Sequence, residues 1–296
     1  MAAEHMKTWK IGNVEVTRIV EVNNHSDPLD FLLPGGSPEI MKKYDWLFPY
    51  FATAEGDMLI SFQCFVVKAG DRRIMVDTCI GNDRWREHDI FNDMQTNFLE
   101  DLERAGCPPQ TIDTVLCTHL HFDHVGWNTH KVDGKWVPTF PNARYLFGNK
   151  EWDHWKDMPR DGGVLSQHLV DSIQPILDAG LAEFVDPDHR VAEEVRLIPT
   201  PGHTPGHVSI HISSQGKDAV ITGDLMHNPV QMAVPDMPSN FCIDGQMACN
   251  TRRKFLETYE NRKALIIGSH FCDPTAGWII PDARNWRFEV DKSMVK

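Results

Sequence analysis

The stretch Thr118-His119-Leu120-His121-Phe122-Asp123-His124 follows the apolar run Val115-Leu116-Cys117 and gathers three imidazoles and a carboxylate within six residues. Neutral imidazole and carboxylate are the ligands that suit zinc and its neighbours among the divalent metals. A purely structural role is the poorer explanation, because buried charge and imidazole without partners are costly. Alternation along the segment puts His119 and His121 on one side, while Asp123 and His124 reach a second position close by. The pattern allows two metal ions.

Three further apolar strands end in the same way: Arg196-Leu197-Ile198 runs toward His203, Ala219-Val220-Ile221 toward Asp224, and Leu265-Ile266-Ile267 toward His270. Side chains presented where strands end can converge on one rim, whereas residues at random loop positions do not. Taken singly, each of the three reads as an ordinary core or surface residue. Their shared placement makes them candidate ligands, and Gly202, Gly206, Gly223 and Gly268 beside them suit a crowded backbone. His130, His154, His168, His189 and His211 read as ordinary histidines. Trp127 and Trp278 fit either a pocket wall or core packing.

Outward from this cluster the chain reads as strands with helices between them. Trp9 to Val22 alternates apolar and polar residues around Gly12-Asn13, a hairpin signal. Strands are expected at 59–67, 73–76, 114–117, 143–147, 195–198, 208–212, 219–221 and 265–267. Helices are expected at about 92–105, at Leu165 to Ala179 before Gly180, and at about 247–261. Residues 23–58 break the regularity with Pro28, Pro34, Gly35, Gly36, Pro38 and Pro49 and a short helix that Ser37-Pro38-Glu39 would cap. Their aromatic and leucine side chains, Phe31 to Leu33 and Trp46 to Phe51, suit packing under a long loop, a pocket lining or a dimer contact. With no linker and no repeat, one domain over 1–296 with an elaboration at 23–58 is the economical organisation.

The 296 residues are 41% hydrophobic and 24% charged, an ordinary globular composition. A formal charge of −13 and the lack of a Lys/Arg cluster argue against a nucleic-acid partner. No run approaches the roughly 18 apolar residues of a membrane helix, and the start carries no apolar signal-peptide core. The seven scattered cysteines contain no CxxC pair and read as buried thiols in a reducing, cytoplasmic setting.

The ordered set His119-Leu-His121-Phe-Asp123-His124, Thr200-Pro-Gly-His203-Thr-Pro-Gly-His207, Thr222-Gly-Asp224 and Gly268-Ser-His270, with Val76-Asp77-Thr78 upstream, resembles the metallo-β-lactamase superfamily over about residues 59–272. The resemblance implies an α+β fold, a four-layer αββα sandwich with a binuclear site at one edge. Carried over by position, it implies one metal held by His119, His121 and His203, a second held by Asp123, His124 and His270, and Asp224 bridging. With seven groups so assigned, His207 reads as a supporting or packing residue and Asp77 likewise. Within the superfamily, Thr222-Gly-Asp-Leu-Met-His227 and the His-Phe-Asp-His start are most similar to the branch of N-acyl homoserine lactonases and methyl parathion hydrolase. The lactonases carry tyrosine where this chain has His227, a position at which the organophosphate enzymes also carry histidine.

The resemblance and the ligand chemistry together lead to a metal-dependent hydrolase in which a hydroxide bridging two divalent ions, zinc first, cleaves a neutral, apolar ester or lactone. Asp123 is the candidate proton relay, and a metal or His227 as acid is the candidate for stabilising the leaving group. Organophosphate triester hydrolysis is the alternative, and β-lactam hydrolysis or metal binding without turnover is weaker. Redox members of the superfamily pair the metals with a flavin domain, for which no length remains. The expected partner is a small-molecule substrate, with a homodimer also compatible, as the branch forms them.

Overall fold

The computed structural model describes residues 6–160 and 166–291. The strands in chain order are β1 (Lys7–Ile11), β2 (Val14–Asp27), β3 (Met58–Ala69), β4 (Arg72–Val76), β5 (Thr114–Leu116), β6 (Thr129–Val132), β7 (Lys135–Pro138), β8 (Arg144–Gly148), β9 (Ala182–Val185), β10 (Val195–Pro199), β11 (Val208–Ser214), β12 (Lys217–Ile221), β13 (Leu265–Ile267), β14 (Ala276–Asp282) and β15 (Asn285–Val290). One sheet has the order β1-β2-β3-β4-β5-β8-β9 and a second the order β10 to β15, with β6 and β7 forming a separate hairpin.

Strand alternation builds the layers. Phe65, Val67, Ile74 and Val76 of the first sheet meet Ile210, Ala219, Ile221 and Ile267 of the second in one buried cluster between the sheets. The intervening residues Cys64, Val66 and Met75 face the other way, against Phe98 and Leu102 of the helix Phe98–Arg104 and Ile173 and Ile176 farther along. On the far side of the second sheet, Val220, Ile266 and Phe288 pack against Phe255, Leu256 and Tyr259 of the helix Gly245–Tyr259. Asp244 caps that helix by accepting a hydrogen bond from the Met247 backbone. The result is the expected four-layer αββα sandwich.

Several expectations need correction. β2 does not stop at Val22 but continues to Asp27, bulging between Val20 and Val22 and again between Val22 and His25, where Asn24 takes a φ of 53°. The irregular segment therefore starts at Pro28. Its Leu29, Leu32, Leu33, Leu47 and Phe51 are buried against the second sheet, so packing is their main role. The helix expected at 92–105 is confined to Phe98–Arg104, because Asn82 and Thr96 bond each other and hold the preceding residues in a loop. In the expected 165–179 helix, Leu165 lies outside the described residues, and the remainder is a π-helical turn Leu169–Ile173 leading into a helix Gln174–Asp178. The sequence reading also omitted β6, β7, β9, β14 and β15. Trp127 stacks on Phe98 with centroids 5.1 Å apart in the core, and Trp278 sits on β14 away from the pocket described below.

Strand direction gathers the chemistry. β4 and β5 run parallel with Val76 opposite Leu116, so Asp77 and Thr118 leave the first sheet at one end. β12 and β13 run parallel with Ile221 opposite Ile267, so the chain reaches Asp224 and His270 from one end of the second sheet. β10 is antiparallel to β11, and β11 to β12, which returns His203 to that same end.

Truncating Leu256 to Ala, at the contact between the last helix and the second sheet, is expected to cost about 2–5 kcal/mol of unfolding free energy. Urea denaturation of the metal-loaded protein measures it.

Candidate metal centre

The seven residues expected as ligands come together at this rim in two groups. His119, His121, His203 and Asp224 offer atoms within 4.8 Å of one another, and so do Asp123, His124 and His270. Asp224 lies between the groups. Its Oδ1 is 3.1 Å from Nε2 of both His124 and His270, and its Oδ2 is 3.3 Å from His203 Nε2 and 3.7 Å from His119 Nε2. Asp123 Oδ2 is 3.6 Å from both His124 Nε2 and His270 Nε2. His227 Nε2 is also within 3.1 Å of Asp224 Oδ2, and its ring stacks on His270 at an interplanar angle of 10°.

The donor set fits divalent cations. His119 Nε2 and Asp224 Oδ1 are buried yet make no hydrogen bond, an arrangement that costs free energy unless another group satisfies them. Imidazole nitrogens face each other, His121 Nδ1 and His203 Nε2 at 2.9 Å and His124 Nε2 and His270 Nε2 at 3.2 Å. Such convergence of lone pairs with carboxylate oxygens is the chemistry that zinc and related ions take.

Each ring is oriented from behind. Asp77, with φ at 59°, accepts from His124 Nδ1 at 2.9 Å, from the Thr118 backbone at 2.7 Å and from Thr118 Oγ1 at 3.0 Å. Thr118 Oγ1 in turn contacts His119 Nδ1 at 3.1 Å. His270 Nδ1 lies 3.0 Å from the Ser61 carbonyl. His207 uses both ring nitrogens within the protein: Nδ1 meets Thr200, and Nε2 accepts from the Asp224 backbone at 2.8 Å. It holds the Asp224 turn and has no nitrogen left for a metal. Gly223 in that turn has φ at +55°, and a Cβ there would lie 2.6 Å from His207 Nε2.

The sequence reading missed Glu151. This buried carboxylate accepts from the backbones of Leu120, between two candidate ligands, and Gly206, and from the Trp155 indole. It ties the two histidine loops together. Nothing local signals it, since an acidic residue in Asn149-Lys-Glu-Trp reads as a solvated helix face.

Electrostatics divides the histidines. Burial drives His119 and His203 well below the ordinary imidazole pKa and His121 down to about 3, so these remain neutral. Burial opposes charge on His124 and His270 too, but Asp224 outweighs it, helped by Asp77 and Asp123 at His124 and by Asp123 at His270, and both pKa values are raised. Desolvation works against the Asp224 anion, yet the surrounding imidazoles hold its carboxyl well below the usual range.

The centre opens into a cavity of about 370 Å³ whose walls include Leu32, Met58, Ile60, Phe62, Phe91 and Phe122. His227 and Asp123 lie on it, as do Arg86, Gln167 and His168, none of which the sequence reading selected.

The family model of the metallo-beta-lactamase superfamily matches residues 63–273. The chain belongs to this superfamily. It is 22% identical over 233 residues to an N-acyl homoserine lactonase of a Bacillus species, covering 72% of this chain and 82% of that one. Among solved structures it resembles AidC, a dizinc quorum-quenching lactonase in complex with a product, N-hexanoyl-L-homoserine, with a TM-score of 0.78, 26% identity and 97% of each chain covered. It likewise resembles AbOPH, a hydrolase in the beta lactamase superfamily, with a TM-score of 0.77, 25% identity and 96% of each chain covered. It is a metallo-hydrolase-like chain in fold, and its two His/Asp groups could hold metal ions. Among the described residues, no helix is long and apolar enough to cross a membrane.

Replacing Asp77 with Asn is expected to weaken metal binding by about 10–100-fold, because His124 loses its oriented acceptor. Competition with a chromophoric chelator reads the affinity.

Proposed function

We propose that the protein is a lactonase that uses two divalent ions, zinc in the first instance, to hydrolyse a neutral lactone or ester with an apolar acyl part. The observation that carries this is a two-group cage sharing Asp224 at the mouth of a cavity with mainly apolar walls. His119, His121 and His203 would hold one ion, Asp123, His124 and His270 the other, and Asp224 both. When bound, the ions supply Lewis acidity and a water that loses its proton near neutral pH.

The chain's own residues do the rest. Asp77 and the Ser61 carbonyl fix the His124 and His270 rings, and His207 fixes the backbone of Asp224. Asp123, on the cavity wall, accepts the proton of the attacking water. The carbonyl carbon gains the oxygen of that water, its bond to the ring oxygen breaks, and His227 delivers a proton to the departing alkoxide. The apolar walls hold the acyl part and exclude bulk water. Phosphotriester hydrolysis is the second reading, supported by His227 in the cavity beside Asp224.

Proton release by the metal-loaded protein, with a chelated control, compares acyl lactones, aryl esters, an aryl phosphotriester and a β-lactam. Metal-dependent turnover fastest on lactones is expected. Faster phosphotriester or β-lactam cleavage, or no turnover of any of them, overturns the proposal. His227→Asn is expected to lower kcat about 100-fold or more with metal content unchanged; loss of metal instead would make His227 structural.

A further inference from the structure

Arg84 and Arg86 share one carboxylate, that of Asp171, which the π-helical turn Leu169–Ile173 buries beneath the cavity wall. π-Helical turns are rare and recur at functional sites. The two arginines have different duties. Arg84 spends its Nη1 on Asp171 and Ser172 and its Nη2 on the Gly126 and Thr129 carbonyls and the Thr129 hydroxyl, with its guanidinium 4.1 Å above the Trp136 ring. Its Nε is buried without a partner, and it does not line the cavity.

Arg86 does line the cavity and keeps donors to spare. It bonds Asp171 through Nη1 at 2.8 Å and Nη2 at 3.3 Å, and the Trp85 carbonyl through Nη1 at 2.8 Å. Of its five N–H donors, the Nε–H and one on Nη2 are left over, and Nε is buried without a partner. The residue is only 6% exposed, yet among the described residues it is the one arginine or lysine on the cavity wall. Two guanidinium groups share the Asp171 carboxylate here, and the cavity wall also carries Asp27, Glu87 and Asp123.

Position relates this donor to the metal centre. The Arg86 guanidinium lies 5.8 Å from the centroid of Phe122, the residue between His121 and Asp123. Arg86 and the candidate ligands His121, Asp123, His203, Asp224 and His270 line the same cavity. A ligand whose reacting carbonyl sits at the metals can reach Arg86 with a group a few bonds away. The walls between are apolar, so a single neutral acceptor fits better there than a second charge.

We propose that Arg86 is a specificity-determining residue that donates a hydrogen bond to a carbonyl oxygen on the acyl side of the substrate, making amide-bearing lactones preferred over lactones that lack the amide. The proposal rests on the lactonase reading and adds to it a second point of recognition. Asp171 positions the guanidinium, and Gln167, whose Nε2 lies 3.4 Å from Asp171, completes the polar end of the cavity.

The test compares kcat/KM for N-hexanoyl homoserine lactone and α-heptyl-γ-butyrolactone, in which two methylenes replace the amide, for wild type, Arg86→Met and Arg86→Lys, each checked for metal content and thermal stability. Any difference in intrinsic reactivity between the two lactones is common to all three proteins and cancels. The expected result is a ratio of amide lactone to plain lactone that falls about tenfold or more in Arg86→Met, mainly through KM, and partly recovers in Arg86→Lys. A ratio unchanged in both variants overturns the proposal while leaving the lactonase reading intact. Should Arg86→Met fail to fold, an Arg86→Lys ratio equal to that of wild type overturns it, because an ammonium cannot reproduce the guanidinium donors. A wild type that hydrolyses neither lactone overturns the lactonase reading and this proposal together.

Discussion

The carboxylate of Asp224, shared between two groups of imidazoles, is the interaction on which the rest of the site depends. One oxygen faces His124 and His270 and the other faces His119, His203 and His227, all within 3.7 Å. A buried anion at this place has to be neutralised by what surrounds it. The sandwich supplies that surrounding because parallel pairs in both sheets, β4 with β5 and β12 with β13, release their polar residues at a common end.

Precision at the rim comes from bonds behind the ligands. Asp77, the Ser61 carbonyl, Thr118 and His207 each fix a ring or a turn, and Glu151 joins the loop of His119 and His121 to the loop after His203. These groups are buried and largely paired, so they are rigid supports. The cavity in front of them has a different character, with aromatic and aliphatic side chains and the Arg86 guanidinium in its wall.

Much of this was legible in the sequence, for identifiable reasons. The His119 to His124 stretch is dense enough in ligand types to stand out, and apolar strands leading to His203, Asp224 and His270 mark the same rim from three other places. β3 to β5 and β10 to β13 were legible because buried strands are continuous apolar runs. β14 was not, because Gly277 and Pro281 interrupt its pattern, and the bulged continuation of β2 through Asn23-Asn24 looks like a loop. Glu151, Arg86 and His168 were illegible for another reason. Each has its meaning only through contacts distant in sequence: Glu151 with Gly206, Arg86 with Asp171, and His168 with the cavity it shares with His121 and His270. Periodicity records which face a residue lies on and not which charged partner waits there.

Under the proposed function, two ions would lie on either side of Asp224. Anomalous diffraction from crystals of the zinc-loaded protein, recorded above and below the zinc absorption edge, tests it directly. The account predicts two peaks, each about 2.0–2.2 Å from its nitrogen and oxygen ligands, one among His119, His121 and His203 and one among Asp123, His124 and His270, with Asp224 contributing to both. A single peak, or peaks that leave Asp224 uncoordinated, would contradict it.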